Sequence, residues 1–559
     1  MSFVGRLRSK SRAAVRLAER WWTDGRVPGQ STDLIVSSLA MSCRDVVEPL
    51  VAAALPPKGG WSRHPAHRHG ARRWVVGPEM TGSVHDLQHE LAGAVVGCLE
   101  AAGLTPFVSE ADGRRLTLGL PVESRRAALA ALRDLPDAGT WYVRWTRGRR
   151  RGTQRVRGLR LRRVVARAEQ WQVVRLAAGS HDRVIGLDHG PIVRFWAPGP
   201  MARRELVGVR GLERFPDGEP ATVEEIDGRP YRGTSSLPVA GSVRRVEFPI
   251  DVVYTWVDGS DPRWRAERER WSGRQSAAAA DATLESRFTS RDELLFSLRS
   301  LHRNAGWVRR VFVVTAGQRP AWLVEDERLR VVDHSEIFPA DWLPTFNSHS
   351  IESRLHHVPG LAEHFLYFND DFFLGEAVAP TDFFTSNGLP VFFEGEAKVP
   401  PPDPDDQRLL GVDAGAVNGQ ALIRARFGRV IDHKLLHAPY ALRRSVLAEA
   451  EAEFADVFAA TGASRFRATT DVSIASAFAH HYGWCTGRAV PGSITTKYVN
   501  LENVILARHL QHLRRRRPLT FCLNETEAVP HGDALERQLD GFLSGYFPWP
   551  SPWERSDRG

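Results

Sequence analysis

A chain of 559 residues is too long for one hydrophobic core, and 42% hydrophobic with 25% charged residues excludes a disordered or low-complexity polymer. The formal net charge of +9 is uneven: residues 1–250 hold 40 Lys+Arg against 25 Asp+Glu, and the rest holds 35 against 41, so two parts with different electrostatics are expected. No run of 18 apolar residues occurs, which gives no membrane-spanning helix.

The first residues, MSFVGRLRSKSRAAVRLAERWW, lack the apolar stretch of a signal peptide. They read as a basic helix, either solvated or resting on a membrane surface. Residues 56–82 are rich in Pro, Gly, His and Arg and read as a linker, so 1–83 is expected to be a basic helical segment plus linker. From 84 the pattern changes. VHDLQHELAGAVVGCLEAAG has helical periodicity, RLTLGL alternates like a strand, VESRRAALAALRDL is helical and TWYVRW is strand-like. With EEIDGRPYRGT as a hairpin, residues 84–246 form an expected α+β accessory region.

Between Arg144 and Arg167 there are eleven arginines and no acid. A solvated β-hairpin is one reading; a patch for an anionic polysaccharide, lipid head group or nucleic acid is the other. No recognition helix, zinc knuckle or stacking motif accompanies it, so no nucleic-acid partner is expected. The cysteines Cys43, Cys98, Cys485 and Cys522 are too widely spaced for a zinc or redox motif and read as buried thiols in a reducing compartment.

From 247 to 559 the chain becomes regular. PIDVVYTWV (249–257) reads as a buried strand ending in the turn DGSDP. SRDELLFSLRSLHR starts with a capping box from Ser290 to Glu293, and Leu294, Leu295, Leu298 and Leu301 mark one helix face. VRRVFVVT (308–315), LRVVDH and HFLYF (364–368) are further strands. Strands alternating with helices predict an α/β core, Rossmann-like, with a mostly parallel sheet.

The segment HFLYFNDDFFLG places Asp370 and Asp371 inside an apolar run, where an unpaired charge costs several kcal/mol. Both follow a strand directly, and Asp258 follows the strand VVYTWV in the same way. Ligands of open α/β sheets bind beyond the carboxyl ends of strands. Three carboxylates there could converge on a divalent cation, and oxygen-only ligands favour Mg²⁺ or Mn²⁺ together with substrate phosphates. The competing reading has one aspartate capping the turn and the other exposed.

IDVVYTWVDGSDP, SRDELLFSLRSL, LPTFNSHSIES and FLYFNDD resemble the first two conserved regions of the Stealth family of hexose-1-phosphate transferases. HKLLHAPYALRRSV with SRFRATTDVSIASAFAHHYG resembles the third, and FCLNETE with GYFPWPSPWE the fourth. The resemblance covers roughly 249–553 and leaves 1–240 outside. It implies transfer of a sugar 1-phosphate from a nucleotide sugar to an acceptor hydroxyl, an α/β core and a divalent metal. Carried over by motif, the functional positions are Asp251, Trp256, Arg291, Glu293, Asn347, Ser348, Glu352, Asn369, Asp370, Asp371, His437, Arg467 and Asp471. Where animal members have Asn in the first block this chain has Asp258.

Chemically, phosphoryl transfer needs charge neutralised on the non-bridging oxygens, in-line positioning and a proton acceptor. Asp370, Asp371 and Asp258 suit metal binding, and one aspartate or His437 suits the base, since imidazole titrates near neutrality. Arg467, just before a helix expected to open at Asp471, suits a diphosphate clamp. Arg291 reads as clamp or surface ion pair, Trp256 as stacking platform or core residue, and Asn347 and Ser348 as helix cap or substrate loop. The expected partners are a nucleotide-sugar donor, a UDP-hexose such as UDP-N-acetylglucosamine, and a polysaccharide or oligosaccharide acceptor. The product is a phosphodiester in capsule or exopolysaccharide, with UMP released. The expected location is cytoplasmic, at the inner membrane face if the basic segment docks there. A metal-dependent glycosyltransferase and a catalytically dead saccharide-binding protein are the rival readings.

Overall fold

The computed structural model describes residues 66–69, 72–77, 82–157, 165–178, 184–186, 189–208, 214–272, 288, 290–400, 411–525 and 533–555. The expected N-terminal basic helix lies outside these residues, as do Cys43 and residues 158–164 of the arginine-rich stretch. Part of the expected linker is not a linker: Ala66–His69 and Arg72–Val75 pair as an antiparallel hairpin. Four residues on each side are enough for a backbone ladder.

Residues 82 to 246 build on helix α1 (Val84–Ala101), strands β1 (Phe107–Ala111) and β2 (Leu116–Pro121), and helix α2 (Arg125–Ala131). Strands β3 (Trp141–Arg147), β4 (Arg150–Arg155), β5 (Gln170–Arg175), β6 (Ile192–Gly199), β7 (Arg203–Leu206) and β8 (Arg214–Pro216) complete an eight-stranded mixed sheet. Ser83 caps α1 by accepting from the Asp86 N–H, and Leu87, Leu91, Val95 and Leu99 bury one stripe of it. The arginine-rich segment forms the β3–β4 hairpin at the sheet edge, with Arg147, Arg149, Arg150 and Arg151 exposed. Strands β9 (Ala221–Ile226) and β10 (Arg229–Thr234) form the expected EEIDGRPYRGT hairpin. These elements enclose a core drawn from Leu91 to Val239.

A second core runs from Ile250 to Trp553. Its centre is a five-stranded sheet of β11 (Ile250–Thr255), β12 (Val311–Thr315), β13 (Leu329–Asp333), β14 (His364–Asn369) and β15 (Tyr440–Arg443), in the order β13-β12-β11-β14-β15. The first four are parallel and β15 is antiparallel to β14. Strands buried on both faces must be apolar at every position, which is how VFVVT and FLYF read. Helix α3 (Pro262–Ser272) follows β11, and α4 (Glu293–Asn304) buries Leu294, Leu295, Leu298 and Leu301 as expected.

The expected capping box does not form. Asp292 occupies the N-cap of α4 at a φ of 61° without a side-chain cap bond, and the buried Glu293 carboxylate accepts from the Arg291 N–H. Of the cysteines expected to be buried, Cys522 is, whereas Cys98 and Cys485 are half-buried; all three are free thiols. Among the described residues no helix is long and apolar enough to cross a membrane.

From β11 the chain steps outward to β12 and β13, then returns to place β14 on the other side of β11. The switch in strand order therefore lies between β11 and β14, and the crevice of such a sheet opens at the carboxyl ends there.

Candidate active site

Asp370 and Asp371 stand at that crevice, one and two residues past the end of β14. A short strand, β16 (Phe372–Leu374), continues directly from Asp371 and pairs antiparallel with β18 (Thr520–Asn524), which pairs parallel with β17 (Thr496–Asn500). The register sets Phe372, Cys522 and Tyr498 in one row. It also brings two donors to Asp371 Oδ2: the Asn524 amide at 3.0 Å and the Cys522 thiol at 3.2 Å. Cys522 and Asn524 are two apart on one strand and so share a face. Asp371 Oδ1 is buried with no hydrogen-bond partner among the described residues.

Glu293 opens α4 beside the same two aspartates. Burial, then the charges of Glu293 and Asp371, raises the Asp370 carboxyl well above its usual range. Burial likewise raises Asp371 against its Asn524 and Cys522 bonds, and pushes Glu293 up to about 7. Burial and Asp371 keep Cys522 a neutral thiol, able to donate. Asp371 raises both Asp370 and Glu293, and one of its own buried oxygens is left without a donor, so the site is short of positive charge. The two adjacent carboxylates are hard oxygen donors of the kind a divalent cation takes; among the described residues they form no three-ligand cluster with Glu293.

His437 lies over the same row. Its ring centroid is 4.9 Å from Tyr498 and 6.3 Å from Phe372. Loss of hydration lowers its pKa and the Asp371 charge opposes this. The residue is exposed by its own surface area, so solvent screens part of the loss. Arg291 reaches Glu525 at 2.7 Å and stands 4.0 Å from Glu293, which sets a cation beside the acids.

A second polar group links helix α5 (Ser348–Glu352) to residues 464–476. Asn347 caps α5 through the His349 N–H and donates to Asp471 Oδ2 at 2.8 Å and to the carbonyls of Ser464 and Phe466. Asp471 also accepts from the Ala468 N–H at 2.8 Å. Arg467 donates to Ser348 Oγ at 2.6 Å. Glu352 accepts from the N–H and hydroxyl of Ser476. The helix expected to open at Asp471 begins instead at Ile474, because Asp471 is held back by Asn347. The Tyr367 hydroxyl, 3.2 Å from Thr255 Oγ1, feels both Glu352 and Asp370, which sets the two polar groups on the same end of the sheet.

Two sequence-derived positions, Asp251 and Asp258, stand apart. Asp251, fully buried at the amino end of β11, receives Arg309 Nε at 2.8 Å and the N–H groups of Arg310 and Ala362. Four residues of extended chain, about 13 Å, separate it from the crevice end of the strand, so it ties strand starts together. Asp258 Oδ1 accepts from the Ser260 N–H and hydroxyl, and Gln318 bonds its main chain toward the loop after β12. Its carboxylate forms no three-ligand cluster with Asp370 and Asp371 among the described residues. Trp256 is half-buried against the core, its N–H donating to Val314 O. Asn369 ends β14 opposite Thr255, at the lip of the crevice. Cys522, Asn524 and Tyr498 received no role from sequence; the i, i+2 pair within TFCLN was the available signal.

Four segments match the conserved regions of Stealth proteins: CR1 over residues 248–276, CR2 over 287–392, CR3 over 436–483 and CR4 over 511–558. An exopolysaccharide phosphotransferase of Streptomyces coelicolor is 43% identical over 512 residues, 88% of this chain and 86% of that protein. A second from the same organism is 40% identical over 493 residues, 83% and 89% of the two chains. The exopolysaccharide phosphotransferase CpsY of Mycobacterium tuberculosis is 41% identical over 315 residues, 56% and 59% of the two. Among solved structures, the galactosyltransferase LgtC aligns over 54% of this chain and 96% of its own at 12% identity and a TM-score of 0.28, too weak a likeness to bear on function.

Proposed function

The chain belongs to the Stealth family and is a phosphotransferase, and from that premise we propose that it moves a hexose 1-phosphate from a nucleotide sugar to a hydroxyl of an exopolysaccharide or capsular acceptor. The donor we favour is a UDP-hexose such as UDP-N-acetylglucosamine. The acceptor oxygen bonds to the sugar-bearing phosphorus, the bond from that phosphorus to the bridging oxygen breaks, and UMP leaves. Residues 247–559 carry the reaction in this reading and 84–246 are accessory.

The observation that carries the proposal is Asp371, oriented by Asn524 and Cys522 with a buried oxygen left over, beside Asp370 and Glu293 at the switch-point crevice. Asp370 and Asp371 would hold Mg²⁺ or Mn²⁺, which when bound neutralises charge on phosphoryl oxygens. Asp258, bonded into its own turn, is the weakest candidate ligand. His437, open to solvent on one side and next to Asp371, suits accepting the hydroxyl proton. Arg467 and Arg291 suit holding the diphosphate, with Asn347, Ser348 and Asp471 fixing Arg467, and Glu352, Asn369 and Trp256 shaping the crevice wall. Asp251 acts on this site only through strand alignment. A nucleotide-sugar donor supports a cytoplasmic reaction, and the basic first 250 residues support contact with an anionic inner membrane face.

Product analysis tests the chemistry. With a UDP-hexose donor, UMP should accumulate and phosphorus NMR should show a phosphodiester in the product. A chelator should abolish turnover and Mg²⁺ or Mn²⁺ restore it. Stoichiometric UDP with phosphorus-free product would make the protein a glycosyltransferase, and full turnover in chelated enzyme would remove the metal.

A further inference from the structure

The accessory core carries a second set of ligating atoms, unconnected with the crevice. His85 and His89 are four residues apart on α1, so their rings share one helix face. The β9–β10 turn delivers Asp227 to the same point. Asp227 and Gly228 have φ values of 53° and 72°, the pair of positive values that a tight two-residue hairpin requires. His89 Nε2 lies 3.1 Å and His85 Nε2 3.7 Å from Asp227 Oδ2, and one ligand atom from each residue lies within 4.8 Å of the others. Around tetrahedral zinc, with bonds of about 2.0–2.1 Å, neighbouring ligand atoms stand roughly 3.3–3.4 Å apart. The two histidine-to-aspartate distances bracket that spacing.

The surrounding bonds suit a metal site as well. The Tyr231 hydroxyl is 2.7 Å from His89 Nδ1, so that nitrogen can donate and leave Nε2 with its lone pair. Arg245 donates to the other Asp227 oxygen at 3.0 Å. Such outer bonds fix ring tautomer and orientation in metal sites. A small cavity lined by Gln88, Gly113 and Arg115 opens on the same atoms, which leaves a fourth position and, beside Arg115, favours water or an anion in it.

We propose that His85, His89 and Asp227 form a zinc site that staples α1 to the β9–β10 hairpin, with a water or small anion as fourth ligand. The full-length protein, stripped with a chelator and held in excess Mg²⁺ to fill oxygen-only sites, is titrated with Co²⁺ and then Zn²⁺. One equivalent of Co²⁺ should give the intense visible absorption of four-coordinate cobalt, Zn²⁺ should displace it, and Zn²⁺ should raise the melting temperature. Asp227→Asn keeps a side chain tolerant of positive φ, so the turn should fold. It and His85→Gln should each abolish the visible band and weaken Zn²⁺ binding by more than about tenfold, while the metal-free melting temperature stays near that of the parent. Tyr231→Phe should weaken binding less. An identical cobalt spectrum and stoichiometry in parent and Asp227→Asn, or no saturable cobalt band in the parent, would overturn the proposal and leave only the His89–Asp227 hydrogen bond with His85 packed beside it.

Discussion

At the scale of single residues, the crevice rests on how Asp371 is held. One oxygen takes two donors and the other takes none, so the carboxylate is oriented without being neutralised. Asp371→Asn is expected to lower kcat by about 10²–10⁴-fold, the range for losing a positioned acid–base or charge-bearing group. It should leave stability unchanged or raise it, because it removes one of three mutually repelling buried acids. Asn524→Ala should give a smaller loss of kcat, since the Cys522 thiol still orients the carboxylate. Steady-state rates beside urea midpoints separate the outcomes: intact activity with lowered stability would mean that Asp371 and Asn524 form only a structural strut.

At the scale of elements, close approaches and buried rings set the tolerances. Helix α6 (Gly411–Phe427) passes over the group around α5, and a Cβ at Gly415 would stand 2.6 Å from Ser473 Oγ and 2.9 Å from His349 Cε1. Ser473 and His349 are bonded to each other, so neither moves freely. Gly415→Ala should therefore cost about 1–3 kcal/mol, as overpacking does, and reduce activity through Arg467 and Asp471; an unchanged thermal midpoint and rate would show that α6 shifts without consequence. Helix α7 (Ala479–Cys485) buries His480 between Phe392 and Tyr440, and burial pulls its pKa down to about 3. A histidine with a depressed folded pKa contributes stability that is full above its unfolded pKa of 6.5 and is lost as pH falls toward the folded value. The loss over that window is on the order of 5 kcal/mol. Urea unfolding of His480→Met at pH 7.5 and 5 should show a flatter pH dependence than the parent; parallel curves would place the acid sensitivity elsewhere.

At the scale of the molecule, the two cores meet along α1 and α4. Gly306, just past α4, lies against the start of α1: a Cβ there would stand 2.5 Å from Ser83 Oγ and 3.1 Å from His85 Cβ. Arg303 donates to the Gly82 carbonyl, and Arg114 pairs with Asp382 across the same boundary. Helix α4 thus begins at Glu293 beside the crevice and ends against α1. Gly306→Val should lower the melting temperature and speed hydrogen exchange in α1 before the central sheet. If exchange in α1 and the sheet rise together, the cores unfold as one unit; an unchanged melting temperature would mean that they pack independently.

Structure set by neighbouring residues is legible in the chain alone. The fully apolar runs of β11, β12 and β14 announce a parallel sheet, the leucines of α4 recur at helical spacing, and the Asp-Gly of EEIDGRPYRGT admits the positive φ of its turn. Two carboxylates after a strand mark the crevice for the same reason. What each acid touches follows from contacts between distant segments. Asp251 and Asp370 look alike as acids at strand ends, yet one anchors the amino edge of the sheet and the other faces the crevice. Glu293 fits a capping box locally, but Arg291 and the nearby aspartates reassign it. The partners of Asp371 lie more than 150 positions away and arrive through the register of β16 on β18. Periodicity carries information over a few residues, whereas strand pairing between distant segments is fixed by burial of a shared core.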